Sequence, residues 1–167
     1  MPDINRWKEK IQTLPALRTI VAERRRRGER VVLANGCFDL LHVGHIRYLR
    51  EARSLGDLLI VAVNSDASVR RLKGEGRPII PEGERLEILA AITYIDYLLL
   101  FDEPDVRRIL LELKPDIQVK GTDYTVETIP EREVVLGYGG RLAIAGDPKD
   151  HSSTALLERI ARLYAPR

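Results

Sequence analysis

Only one cysteine, Cys37, occurs in the 167 residues, so no disulfide can close within the chain, and no Cys/His zinc spacing surrounds it. Such usage suits a reducing compartment. No apolar run approaches the roughly 20 residues that span a bilayer. The opening Met1-Pro2-Asp3-Ile4-Asn5-Arg6 lacks the apolar centre of a signal peptide. These absences predict a cytoplasmic protein with no membrane partner. Aromatic residues are 5% of the chain, too few for the stacking platforms of a nucleic-acid binder. Charge of one sign is equally scarce. Twenty-seven Lys and Arg against 25 Asp and Glu leave +2, too even a balance to imply a nucleic-acid partner. Internal repeats, low-complexity segments and interdomain linkers are absent.

What is present is an alternation of strands and helices. Residues 5 to 27 carry Trp7, Ile11, Leu14, Leu17, Ile20 and Val21 at helical spacing, interrupted by Pro15. The run Arg24-Arg25-Arg26-Arg27 before Gly28 suits a helix C-terminus, as a solvated end or as a phosphate or partner site. Five short strands follow, within 31–34, 58–63, 94–101, 117–120 and 141–145, the first two of them apolar throughout. Between and after them, helices are predicted over 45–55, 66–72, 82–91, 105–113, 131–136 and 152–163. Leu58 to Val63 is apolar without a break, as expected of a strand covered on both faces. The pattern predicts a single-domain α/β fold, a Rossmann-like, doubly wound, parallel five-stranded sheet. An N-terminal helical segment, 1–29, precedes its body, 30–167. Ligands in such sheets lie beyond the carboxyl ends of the strands, at the topological switch point.

The strongest chemical signal, Asn35-Gly36-Cys37-Phe38-Asp39-Leu40-Leu41-His42-Val43-Gly44-His45, leaves the first strand and opens a helix. Two histidines around a glycine converge there. Gly44 permits close backbone approach, and the helix N-terminus offers N–H groups and a positive dipole end to phosphate. Imidazoles can donate to oxygens that gain charge during phosphoryl transfer. The alternatives are a metal pair or structural histidines.

From Gly36 to His45 the chain resembles the cytidylyltransferase-like nucleotidyltransferases, whose hallmark is His-x-Gly-His. The likeness continues through Leu55-Gly56-Asp57, Val63-Asn64-Ser65-Asp66, Arg70-Arg71-Leu72-Lys73-Gly74, Arg85, Val119-Lys120-Gly121-Thr122-Asp123-Tyr124 and Ser152-Ser153-Thr154. It implies that residues 30–167 form a nucleotidyltransferase domain. His42, His45 and Lys73 would then be catalytic, with Lys73 closing over the phosphates from a Gly-flanked loop. Cys37, Phe38, Gly44, Lys120, Ser152, Ser153 and Thr154 would bind nucleotide, and Asn64, Asp66, Arg85 and Asp123 substrate. Each has a plainer reading too: Lys73 as a mobile surface lysine, Arg85 as an exposed helix arginine, Ser152 to Thr154 as a helix cap. Asp123 could hold Mg²⁺, orient Lys120 or accept a substrate hydroxyl. Asp39 is expected to brace its loop.

The resemblance implies transfer of AMP from ATP to a sugar 1-phosphate, with heptose 1-phosphate favoured. Mg²⁺ would accompany the triphosphate, with no separate metal site on the protein. The alternative is CTP-dependent transfer to glycerol 3-phosphate or another polyol phosphate. That enzyme group carries Arg-Thr-Glu-Gly where this chain has Asp147-Pro148-Lys149-Asp150, which leaves Lys149 as a candidate for the triphosphate tail. A nucleotide-binding module without turnover would keep the fold and lose the histidines, which are retained. The family likeness, with the apolar stripe of the first helix, points to a homodimer.

Overall fold

A computed structural model of the chain describes residues 4–148 and 151–165; Lys149 lies outside the described residues. A short 3-10 helix, Arg6–Lys10, comes first, and helix α1 spans Leu14–Arg26. Thr13 caps α1, its hydroxyl accepting from the Ala16 N–H at 3.3 Å. Pro15 sits in the first turn, where its missing N–H costs nothing. The predicted N-terminal helix is therefore two helices, divided just ahead of the proline.

The alternation then runs β1 (Val31–Gly36), α2 (Val43–Ser54), β2 (Leu58–Asn64), α3 (Asp66–Lys73) and α4 (Glu82–Ala90). It continues through β3 (Tyr97–Phe101), α5 (Arg107–Leu113), β4 (Ile117–Gly121), α6 (Arg132–Gly137), β5 (Arg141–Ala145) and α7 (Ser153–Tyr164). The five strands form one sheet in the order β3-β2-β1-β4-β5. Every pair is parallel, with Val31 opposite Leu58, Ile60 opposite Tyr97 and Ile117 opposite Arg141. All seven β2 residues are buried.

Alternation along the strands divides the core between the two sheet faces. Val32, Ala34, Leu59, Val61 and Val63 meet Leu49, Leu86 and Leu89 of α2 and α4. Val31, Leu33, Leu58 and Ile60 meet Leu17 and Val21 of α1, Ile109 and Leu110 of α5, and Val135 of α6. The stretch 1–29 thus supplies part of the main core, and the apolar stripe of α1 is spent inside its own chain. Gly56 permits the close approach of β1 and β2: a Cβ there would lie 2.6 Å from Val32 Cγ2 and 2.8 Å from the Arg30 carbonyl oxygen.

The arginine run at the end of α1 is largely tied into the structure. Arg24 pairs with Glu29 at 2.6 Å, Arg27 with Glu23, and Arg25 donates to the Leu113 and Lys114 carbonyls that end α5. Among the described residues no helix is long and apolar enough to cross a membrane.

The chain builds β1, β2 and β3 outward in one direction and returns to place β4 on the other side of β1. The loops after β1 and β4 therefore diverge, and a crevice opens between them.

Candidate active site

A cleft of about 720 Å³ occupies that crevice. Asn35 and Gly36 at the end of β1, Asn64 at the end of β2 and Lys120 and Gly121 at the end of β4 form its floor. Cys37 to Asp39, His42, Gly44 and His45 line one wall, and Lys73, Arg77, Thr122 to Tyr124 and His151 to Thr154 close the others.

His42 is the N-cap of α2, and His45 is its third residue. The Gly44 N–H donates to His42 Nδ1 at 3.2 Å, and the His42 N–H donates to His45 Nδ1 at 3.3 Å. Both imidazoles thus complete a reciprocal capping box. A ring whose Nδ1 accepts carries its proton, when neutral, on Nε2, so Nε2–H remains as the donor of each ring. The rings stack with centroids 3.9 Å apart. Burial, then the neighbouring His42, pushes the His45 pKa down to about 4, against a weaker upward pull from Asp39. Burial, then His151, lowers that of His42. Two neutral hydrogen-bond donors consequently face the cleft at neutral pH. A Cβ on Gly44 would meet the His42 ring at 3.0 Å and His151 Cβ at 3.1 Å, so the glycine is what lets the two histidine-bearing segments close together.

The loop joining β1 to α2 is strained. Phe38 and Leu40 adopt φ of 51° and 50°, at a cost of about 1 kcal/mol each. Between them Asp39, 1% exposed, holds the conformation. Its carboxylate accepts from Arg77 Nε at 2.8 Å and from the Ile79 and Ile80 N–H groups at 2.9 and 3.0 Å. Those bonds outweigh burial and keep its pKa low. The Asp39 carbonyl accepts from the Ser153 hydroxyl at the start of α7. Asp39 therefore braces the loop, as expected, and binds three segments of the site together. Burial raises the pKa of the half-buried Cys37 thiol.

Arg85 has a different place from the one expected. It is 1% exposed and lies behind the loop. Its guanidinium donates to the carbonyls of Cys37 (2.6 Å), Asn64 (2.8 Å) and Ile80 (3.0 Å) and to Asp66 Oδ1 (2.8 Å). Four of its five N–H donors are thus taken by protein acceptors, and neither Arg85 nor its partner Asp66 lines the cleft. Asn64 lines the cleft while its amide donates to Ser68 Oγ at 3.0 Å.

Lys73 closes α3 at the cleft edge. Lys120, 7% exposed, pairs with Glu131 at 3.4 Å and lies 5.4 Å from the Tyr124 ring centroid. Asp123 lines the same wall. Ser152 caps α7, accepting from the Ala155 N–H at 3.0 Å; Ser153 and Thr154 also line the cleft. Arg77, Glu131 and His151 complete the surroundings and were not singled out by the sequence pattern. Their partners lie far off along the chain, 38 residues in the case of Arg77 and Asp39. The fold gathers all three histidines of the chain, His151 included, at this one cleft.

A family model described as cytidylyltransferase-like matches residues 33–159. The chain is 50% identical over 158 residues to the bifunctional protein HldE of Syntrophotalea carbinolica, covering 95% of this chain and 32% of that protein. It is 49% identical over 155 residues to the HldE of Geobacter sulfurreducens, covering 93% and 32%. The chain thus spans about a third of the length of these relatives. Among solved structures, the lipopolysaccharide core biosynthesis protein from Thermoplasma volcanium superposes with a TM-score of 0.62 at 35% identity, over 73% of this chain and 100% of that one. The pantoate-beta-alanine ligase of Francisella tularensis shares the fold, with a TM-score of 0.64 at 16% identity over 86% and 68%.

Proposed function

The chain belongs to the cytidylyltransferase-like family of nucleotidyltransferases, and from that premise we propose that it transfers AMP from ATP to a sugar 1-phosphate, heptose 1-phosphate being the favoured acceptor. The observation that carries the reading is the capping box of His42 and His45, which presents two neutral Nε2–H donors at the N-terminus of α2 inside the cleft. The acceptor's phosphate oxygen attacks the α-phosphorus in line, the bond to the β-phosphate oxygen breaks, and pyrophosphate leaves. No covalent enzyme intermediate is needed, because a phosphate oxyanion is already a nucleophile. The protein's work is positioning and charge stabilisation. The two imidazoles donate to the transferring phosphoryl group, and Lys73 and Lys120 offset the charge of the triphosphate.

Mg²⁺ enters with ATP as part of the substrate. Among the described residues no group of three His, Cys, Asp or Glu side chains could hold a metal ion. Phosphate oxygens and retained waters would supply its ligands, the usual arrangement for Mg²⁺, with the Asp123 carboxylate on the cleft wall as the candidate from the protein. A sugar-phosphate acceptor is supported by the 35%-identical solved relative, a lipopolysaccharide core biosynthesis protein. ATP as substrate and the lone cysteine both suit the cytoplasm. The working unit is a homodimer.

The test is kcat/KM for ATP and CTP, each paired with heptose 1-phosphate and glycerol 3-phosphate, read by pyrophosphate release. ATP with heptose 1-phosphate is expected to lead. If CTP with glycerol 3-phosphate leads, the choice of substrates is wrong and the reaction class stands.

A further inference from the structure

Lys120 and Gln118 lie two residues apart on β4 and so share one face of the sheet, opposite Ile117 and Val119. Below that face stands Glu131, the residue just ahead of α6. Glu131 is 4% exposed, and its side chain makes no capping bond to its own helix. It reaches instead to Lys120 Nζ at 3.4 Å and accepts from Gln118 Nε2 at 3.4 Å. Gln118 is fully buried. The Tyr124 ring also stands 5.4 Å from the same ammonium. Lys120 is thus in reach of a buried carboxylate and an aromatic face, at the end of β4 that meets the cleft.

We propose that Glu131 is a positioning residue for nucleotide binding: from beneath the sheet it holds the Lys120 ammonium in place, charged and directed into the cleft, for the phosphates of ATP. The inference rests on the reading of Lys120 as a nucleotide ligand. A lysine this enclosed is expensive to keep protonated unless a carboxylate accompanies it. Burial lowers the Lys120 pKa, while Glu131, and more distantly Asp105, raise it. The other titratable group against it is Tyr124, and Asp123 adjoins it on the cleft wall. Asp105 is already paired with Arg107, so Glu131 is the carboxylate that keeps Lys120 charged. A role confined to stability would leave ATP affinity and its pH dependence unchanged.

The test is the affinity of the intact chain for Mg·ATP without acceptor, by calorimetric titration from pH 7 to pH 9, on Glu131→Gln, Glu131→Asp, Lys120→Met and the double variant. In that window His45, with its pKa near 4, stays neutral, while burial holds the His42 pKa below and the Cys37 pKa above their ordinary values. Glu131→Gln is expected to weaken ATP binding about tenfold at pH 7, equivalent to about 1.4 kcal/mol, and progressively more as pH rises. Glu131→Asp should recover part of the loss. Adding Glu131→Gln to Lys120→Met should bring no further loss, as for residues acting through one another. If Lys120→Met weakens ATP binding while Glu131→Gln keeps wild-type affinity at every pH, the inference is overturned. If Lys120→Met itself binds ATP normally, the reading of Lys120 as a nucleotide ligand is what fails. Should Glu131→Gln not fold, Glu131→Asp carries the test in the same direction with smaller amplitude, and unchanged affinity there overturns the inference.

Discussion

At His42 and His45 a single pair of backbone N–H groups does two things: it caps α2, and it determines which ring nitrogen bears the proton. Removing either ring should lower kcat by at least ~10²-fold, the scale for losing one transition-state donor. His42→Ala also loses a cap worth about 1 kcal/mol, a shift of roughly 2–4 °C in Tm for a chain of this size. His42→Asn separates the two roles, since asparagine caps well but ends short of the imidazole Nε2. It should melt near wild type and still turn over slowly, and normal turnover would refute the donor role. Protonation gives a second test. The folded pKa of His45, about 4, lies below its ordinary value of 6.5. The unfolded chain therefore binds more protons between those values, and stability is complete above pH 6.5 and lost as pH falls toward 4. His45→Gln should flatten that acid limb in urea melts, and an unchanged limb would contradict it. The histidine motif was legible because glycine spacing and a preceding buried strand are local signals. Arg85 was not: an arginine on a helix looks exposed, and only the fold brings the Cys37, Asn64 and Ile80 carbonyls around it. Glu131 was hidden for the same reason, its partners Gln118 and Lys120 meeting it only where the fold brings the start of α6 to β4.

Among the elements, the five strands were legible as short runs of apolar or alternating residues between helical stretches, and β2, with its unbroken run Leu58 to Val63, most of all. Helix starts shifted by one or two residues where the caps, His42 and Ser152, belonged to the site as much as to the helix. The loop after α3 shows what periodicity could not supply. Two bends at Gly74 and Gly76, with φ of 90° and 81°, suggest a free lid, yet Asp39 clamps its far end at Arg77, Ile79 and Ile80. If Lys73 closes over the triphosphate, the closure would therefore turn on the segment from Lys73 to Gly76. Trypsin should cut after Lys73 in the free protein and markedly more slowly with ATP bound. Asp39→Asn should raise the rate of cutting without ATP by weakening the clamp. Identical digestion with and without ATP would show that this segment does not close on nucleotide.

At the scale of the whole molecule, one element is left without a core. Helix α7 has no buried residue. Leu156, Ile160, Leu163 and Tyr164 recur at i, i+4, i+7 and i+8, a single helix face, and are 37%, 48%, 67% and 81% exposed. A helix of 12 residues is marginal in water without packing on such a face. The stripe on α1 has already been used against the sheet through Leu17 and Val21, so α7 is the surface on which pairing would be built. A two-fold axis beside it would set the same stripe of a second copy against the first, the arrangement of an isologous dimer. The consequence reaches the active site, because the first turn of α7 supplies Ser153, whose hydroxyl holds the Asp39 carbonyl. Covering the helix would steady the wall of the cleft that faces the triphosphate. Light scattering at micromolar concentration should therefore give twice the chain mass. Ile160→Glu with Leu163→Glu should give the single mass, with circular dichroism showing an intact sheet and a higher KM for ATP. A wild-type chain that is monomeric throughout that range would rule out the dimer. A double variant that remains dimeric would move the interface away from α7.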